Sequence, residues 1–536
     1  MAQAQQTSQE GVKPVSTSFS RAISFLCAAI DSALARRFWI CVAVFTAVFL
    51  ACSISIDLRM KMWIDELYTL IMAQQAGAIQ IVKATWEGCD GMPPLYAILV
   101  HAILPLMPSQ ELAVRLPATL GFCAMILSLS AFCRNRMPAS YAMTATLVAC
   151  IMGLDYAVEG RGYGLILGCA AGALLCWQLA LDGRHRPLAL SGFAFCTALM
   201  IALHYYAIFF LVPFLIVEAV RSKTSRPWDA KLLLAMAPAA AVLLLHVPLI
   251  AVSAKFEKHY WSPATWKSVI LSLGDSDLWI RTNFILPFLL LFVVASAAGK
   301  DRLANLLRRT LRLREWLALG IFLLLPPLIA VASMATTHVF VSRYVLWVIP
   351  ALAVVFVALV CAAENSASVL GVAFLGFFLA LAVNDVWTRL AAPPLLRQGG
   401  AVSAELAALP PGRDPIVIAD HHVFMELSHY AAPPLRDRLL YLVSADLDLR
   451  YLDNDTGAML MEALRKRTAL HIEDLDKGLA DHRHFFVAAE PSDYLPAYLA
   501  SAGWRVTLLH GSDHAALYEV VSAPHAPAVR RHEKRG

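Results

Sequence analysis

Eleven stretches of this chain are apolar over, or nearly over, the roughly 20 residues that carry a helix across the hydrocarbon core of a bilayer. They lie at about 37–57, 111–133, 138–157, 162–181, 187–204, 205–220, 231–252, 283–299, 315–335, 343–362 and 366–386. Lipid offers the backbone no hydrogen bonds, so such runs fold as helices. Composition agrees. Of 536 residues, 59% are hydrophobic and only 15% charged, whereas soluble domains run near half and a quarter. Disorder, collagen and a disulfide scaffold are excluded on the same grounds. The 44 basic and 39 acidic residues leave a net charge of +5, too little to point to nucleic acid. Nearly all eleven cysteines sit in apolar runs and none follows Cys361. There they act as small hydrophobes, with neither metal spacing nor a disulfide framework.

The N-terminus is polar until about Phe38, and Ala22–Ile30 is too short and too late for a cleaved signal peptide. The first long run therefore reads as an uncleaved anchor. One further apolar stretch, Pro93–Met107, is shorter and contains His101 and Pro105. Loops rich in Arg and Lys stay on the cytoplasmic side. Those loops are Arg134/Arg136, Arg184/Arg186, Arg221/Lys223/Arg226 and Lys300–Arg314, and Arg36/Arg37 flank the first span. All five share one side if 93–107 does not cross. The expectation is an α-helical polytopic membrane protein of about eleven transmembrane helices. Residues 1–36 form a cytoplasmic tail and 37–386 the transmembrane domain, with 58–110 its first outer loop and juxtamembrane helices.

After about residue 387 the chain becomes more polar. Pro415–Ala419, Leu439–Val443 and Phe485–Ala489 read as strands, and Trp504–Leu509 with Ala515–Val521 as a closing strand pair. Helical patterns lie between them at about 421–431, 454–467 and 492–502. Strands alternating with helices predict a mostly parallel sheet. Residues 387–523 are thus expected as an extracytoplasmic, periplasmic α/β domain, and 524–536 as a disordered tail.

Ionisable residues at membrane depth mark functional sites by default. Four clusters fall at the outward helix ends. Asp65-Glu66 in WIDELY is either an acidic pair at a helix start, where carboxylates are favoured, or a pair with one member facing a cavity. Asp155-Tyr156 and Glu159-Gly160-Arg161-Gly162-Tyr163 form either a capped interfacial turn or part of a site. His204-Tyr205-Tyr206 has no polar linker around it, and a lone His is more often a core residue. His338 and Ser342-Arg343-Tyr344 open an apolar span, where Arg343 is an anchor or a ligand group. Guanidinium groups suit phosphate, and a carboxylate beside them can act as a base on a hydroxyl. A lipid with a phosphate at the outer surface would put its headgroup at this height.

At these residues the sequence resembles the GT-C glycosyltransferases, in particular the branch of bacterial protein O-mannosyltransferases and the lipid A aminoarabinose transferase. The likeness runs over about 37–362. It is carried by Asp65-Glu66 in the first outer loop, then Pro93-Pro94-Leu95-Tyr96 and Arg115-Leu116-Pro117, then EGRGY at 159–163, HYY at 204–206 and SRY at 342–344. It implies a polyprenyl-phosphate-linked sugar donor and a hydroxyl acceptor of the cell envelope, whether glycan, lipid or protein. It also implies a bacterial inner-membrane setting with the site facing the periplasm, and inversion by direct displacement. Asp65 would be the base, with Glu66 supporting it or binding sugar hydroxyls. Arg161 and Arg343 would meet the donor phosphate, and His204, Tyr205, Asp155 and Tyr163 would line the site. Some relatives place a Lys near the Pro segment; here Asp90-Gly91-Met92 stand there, and Lys83 is the nearest candidate. There is no nucleotide-binding signature. A divalent cation is compatible with the site, although no ligand cluster demands one. The competing readings are a lipid or sugar transporter or flippase, which repeated halves would mark, and an envelope scaffold.

Overall fold

The computed structural model describes residues 16–224, 227–254, 259–271, 308–364, 368–394, 396–397, 399–407, 409 and 412–522. Among them, nine helices are long and apolar enough to cross a membrane: Phe38–Asp57, Gln110–Arg134, Tyr163–Leu181, Arg186–Leu203, Tyr205–Lys223, Ala230–Val252, Leu313–Ala335, Ser342–Ala363 and Val369–Ala391. The expected span 138–157 is the 19-residue helix Ala139–Ala157, buried along most of its length. It carries Ser140, Thr144, Thr146 and Asp155, so it is less apolar than its neighbours, and it packs inside them rather than against lipid. The expected span 283–299, half of the loop 253–282 before it and the tail 524–536 lie outside the described residues. Leu95–Leu106 is a short apolar helix. Twelve residues of helix extend only about 18 Å, well short of the hydrocarbon thickness. Upstream, Ser16–Arg36 is itself helical, and its Asp31 accepts a hydrogen bond from the Ser140 amide at 2.7 Å.

Small residues set how the core helices meet. A Cβ on Gly121 would lie 2.4 Å from the Leu165 backbone, and one on Gly164 would lie 2.2 Å from the Ala118 carbonyl. The helices Gln110–Arg134 and Tyr163–Leu181 therefore touch backbone to backbone, as small residues allow in membrane bundles. This contact brings the turn before Tyr163 against the start of the 110–134 helix.

The basic loops gather at one end of the bundle. Arg136 binds Glu315 and Asp182, and Arg312 also reaches Asp182. Arg186, Arg221 and Arg314 line a common hollow, and Arg134 lies over the ring of Phe38 at the start of the first span.

The C-terminal domain is a six-stranded sheet: β1 Ile416–Ile418, β2 Leu439–Val443, β3 Ile472–Asp474, β4 His484–Ala489, β5 Arg505–Gly511 and β6 Ala516–Val521. Its order is β3-β2-β1-β4-β6-β5. The first four strands in that order are parallel, while β6 runs antiparallel to both β4 and β5. The sheet is mostly parallel, as its helix–strand alternation predicts, and its last two strands form the expected pair. Strand β3 escapes the sequence reading because IED is too short and too acidic to register as an apolar run. The domain rests on the first loop of the helical part. Tyr430 accepts from the Met62 amide at 2.8 Å and donates to Glu111, and Arg467 pairs with Glu87.

Candidate active site

The first span ends at Asp57, and the chain turns into the helix Ile64–Ala73. Asp65 and Glu66 stand in its first turn, where the helix dipole favours carboxylates. Successive helical residues are about 100° apart, so the two side chains part company. Glu66 turns into the packing. Arg115 grips both of its oxygens at 2.6 and 2.7 Å. The Gly160 and Trp63 amides donate to it at 2.7 and 3.1 Å, and both members of the ion pair are 1% exposed. Gly160 is required there, because a Cβ would fall 2.2 Å from Val114. Glu66 therefore joins the first loop, the 110–134 helix and the EGRGY turn, and it does not line the neighbouring cavity.

Asp65 faces the other way, into a cavity of about 230 Å³. Arg161 approaches one of its oxygens at 3.5 Å and Arg343 the other at 3.3 Å. Arg161 also holds Asp90 at 2.6 Å. Burial pushes the Asp65 carboxyl up, but the Arg161 and Arg343 charges outweigh it and keep it below the usual carboxylate range. Asp65 is thus ionised near neutral pH. The guanidinium of Arg343 lies near the rings of Trp63 and Trp261. Its Nε is buried with no hydrogen-bond partner among the described residues. Two cations thus stand in the cavity with donor capacity beyond Asp65, which suits an incoming anion.

Tyr163, His204 and Tyr205 also line the cavity. His204 Nδ1 accepts from the Tyr206 amide at 3.2 Å, which leaves the ring proton of neutral His204 on Nε2. That atom is buried without a partner among the described residues. The phenols of Tyr260 and Tyr344 meet at 2.9 Å. Thr456 and Leu460 of the C-terminal domain complete the wall.

Two expected site residues lie elsewhere. Asp155 is 41% exposed and pairs with Arg389 of the last span. Lys83, on the helix Ala78–Trp86, is exposed and outside the cavity. Conversely, the sequence reading passed over Asp90 as the partner of Arg161, although it stands three residues before the Pro93-Pro94 segment. It also missed Asp420, His421 and His422, which are three adjacent donor residues after β1. Their ligand atoms lie within 4.8 Å of one another and make up the group among the described residues able to hold a metal. That charge group acts on the cavity, since His422 contributes to lowering the Asp65 carboxyl.

No family model matches the sequence, and no curated protein matches it. Solved structures do resemble it. ArnT from Cupriavidus metallidurans in the apo state aligns with a TM-score of 0.55 at 14% identity, covering 90% of this chain and 98% of that one. The same protein bound to undecaprenyl phosphate aligns with a TM-score of 0.54 at 14% identity and the same coverage. An oligosaccharyltransferase from Archaeoglobus fulgidus aligns at 0.44 and 12% identity, over 88% of this chain and 72% of that one. By fold, this chain is a polytopic helical membrane protein with a C-terminal α/β domain, similar in architecture to ArnT.

Proposed function

We propose that the chain is a membrane glycosyltransferase that moves a sugar from a polyprenyl-phosphate donor to a hydroxyl of an envelope glycan, lipid or protein. One observation carries this reading: Asp65 shares a cavity with Arg161 and Arg343, each arginine on a different carboxylate oxygen. The fold likeness to ArnT, which has been seen with undecaprenyl phosphate, supports the donor class.

The chemistry is a single displacement. The acceptor oxygen attacks the anomeric carbon while Asp65 takes its proton. The bond from that carbon to the phosphate oxygen breaks, and the polyprenyl phosphate leaves as a monoester with one more negative charge. Inversion follows from attack opposite the leaving group. Arg161 and Arg343 stabilise the charge growing on phosphate, and the walls hold the two reactants in line. Arginines that turn to phosphate leave Asp65 with less neighbouring positive charge. Its proton affinity therefore rises when donor is bound, which is when a base is needed. Glu66 positions Asp65 through Arg115 and Gly160.

The Asp65 end is read as periplasmic in a bacterial inner membrane, because the basic loops collect at the other end of the bundle. On this reading 1–36 is cytoplasmic and 387–523 periplasmic. A periplasm-dependent reporter fused after Pro394 is expected to be active, and a working cytoplasm-dependent reporter there would reverse the orientation. For the activity, purified protein is given polyprenyl-phosphate sugars and envelope acceptors. Asp65→Asn should stop transfer while donor still binds. Full turnover by that variant removes Asp65 as the base, and flux of substrate across vesicles with no covalent product favours a transporter.

A further inference from the structure

The C-terminal domain carries a second constellation. Its sheet changes winding direction between β1 and β4, since β1 leads to β2 and β3 on one side and lies against β4 on the other. In open α/β sheets, ligands collect outside the carboxyl ends of the strands at such a point. Three metal-ligating residues stand immediately after β1, at Asp420, His421 and His422.

Their geometry is that of donors facing one another. Asp420 Oδ2 lies 3.8 Å from His421 Nδ1, and Oδ1 lies 3.8 Å from His422 Nδ1. Neither separation is a hydrogen bond. Ligand bonds of about 2.0–2.2 Å to one zinc ion span gaps of this size with little movement. The surroundings hold the donors in place. Asp420 caps the following helix, accepting from the Val423 amide at 3.0 Å, and keeps lone pairs free. The His421 ring lies 4.1 Å from that of His422 and rests on Gly457, where a Cβ would come within 2.8 Å of the ring. A side chain at 457 would displace the imidazole.

We propose that Asp420, His421 and His422 bind a divalent cation of the zinc class. Two imidazole nitrogens and a carboxylate oxygen suit that ion. Three protein ligands leave one tetrahedral position for water or a substrate oxygen. The site is separate from the Asp65–arginine cavity, since none of its three residues lines that cavity. Cation binding is independent of the transferase reading, since it is measured without donor or acceptor.

The test uses the full chain, purified in detergent and stripped with a chelator. Zinc is titrated by calorimetry and bound metal counted by mass spectrometry. Cobalt(II) serves as a spectroscopic probe. About one equivalent of zinc is expected, and the bound cobalt should show visible absorption. The double variant H421A/H422A should lose that equivalent and the absorption. His422→Asn, a change at the most exposed of the three residues, should weaken binding about 10-fold or more with the melting temperature of the metal-free protein unchanged. His471→Ala, at an exposed histidine outside the site, should bind as the parent does. No zinc bound by the parent chain, or an equivalent retained by both site variants, overturns the proposal.

Discussion

Two ionic clusters stand near opposite ends of the helix Gln110–Arg134, about 37 Å apart at the rise of an α-helix. They use the same residue types and differ in closure. At the Arg136 end, the guanidinium donates to both oxygens of Glu315 at 2.8–3.0 Å and to Asp182 at 2.9 Å. Arg312 adds a contact to Asp182 at 2.6 Å, and Glu315 is completely buried. Acceptors and donors are matched, and the cluster ties loops together. At the Asp65 end the contacts are 3.3 and 3.5 Å, Arg343 Nε has no hydrogen-bond partner among the described residues, and a cavity lies beside the charges. Buried polar groups are normally satisfied, so the open cluster reads as one awaiting a ligand. The lesson is that charge at a helix end does not separate anchor from site, whereas incomplete pairing around a cavity does.

The largest effect should come from the centre of the open cluster. Asp65→Asn removes the proposed base while keeping shape, and general-base catalysis contributes about 10²–10⁴-fold. Turnover should fall by that factor in a transfer assay, with the melting temperature little changed. A variant of unimpaired turnover would break the contrast from the catalytic side. Arg136→Met tests the other cluster. Leaving Glu315 buried and unpaired should cost about 3–5 kcal/mol, seen as a lower melting temperature, while donor KM per folded molecule stays the same. A changed KM with unaltered stability would mean that the closed cluster is a site as well.

The two clusters were unequally legible in the sequence. The helices are visible because a span has to be apolar along its whole length, and among the described residues the mixed helix Ala139–Ala157 departs from that pattern. Asp65, Arg161, Tyr163, His204, Tyr205 and Arg343 could be singled out because each sits where an apolar run begins or ends, and all six line the cavity. Glu66 and Asp155 have the same signature but point elsewhere, and Lys83, the lysine nearest the Pro93-Pro94 segment, lies outside the cavity. Direction around a helix depends on packing partners such as Arg115 and Arg389, which are 49 residues from Glu66 and 234 from Asp155. Asp90, Thr456 and the Asp420–His422 trio lie in or beside loops with no periodicity. Asp90 reaches the cavity through Arg161, whereas Thr456 and the trio come near it only when the C-terminal domain docks on the first loop.

A smaller effect is expected at Arg343. Lysine keeps the charge but loses the planar fork that can hold a carboxylate and a phosphate together. Arg343→Lys should raise donor KM about 10-fold, about 1.4 kcal/mol at the binding step, with kcat reduced less and stability retained. An unchanged KM would assign the phosphate to Arg161 alone.

The smallest effect is one of slope. Glu159 sits in the turn between the helices Ala139–Ala157 and Tyr163–Leu181, and its Oε1 is buried without a partner among the described residues. Burial pushes its carboxyl up from 4.5 to about 8, against the opposing pull of Arg343. Between those two pH values the folded chain keeps a proton that the unfolded chain releases. Stability from this group is therefore complete below about pH 4.5 and declines as pH rises through the window to about 8. Glu159→Gln has the same shape and no proton to lose. Melting temperatures of the two proteins should lie close together at pH 5 and separate by pH 8, with the variant the more stable. A constant difference across that range would mean that Glu159 is already ionised in the folded protein. The open cluster would then carry one more negative charge than the reading of a cavity poised for an anionic donor allows.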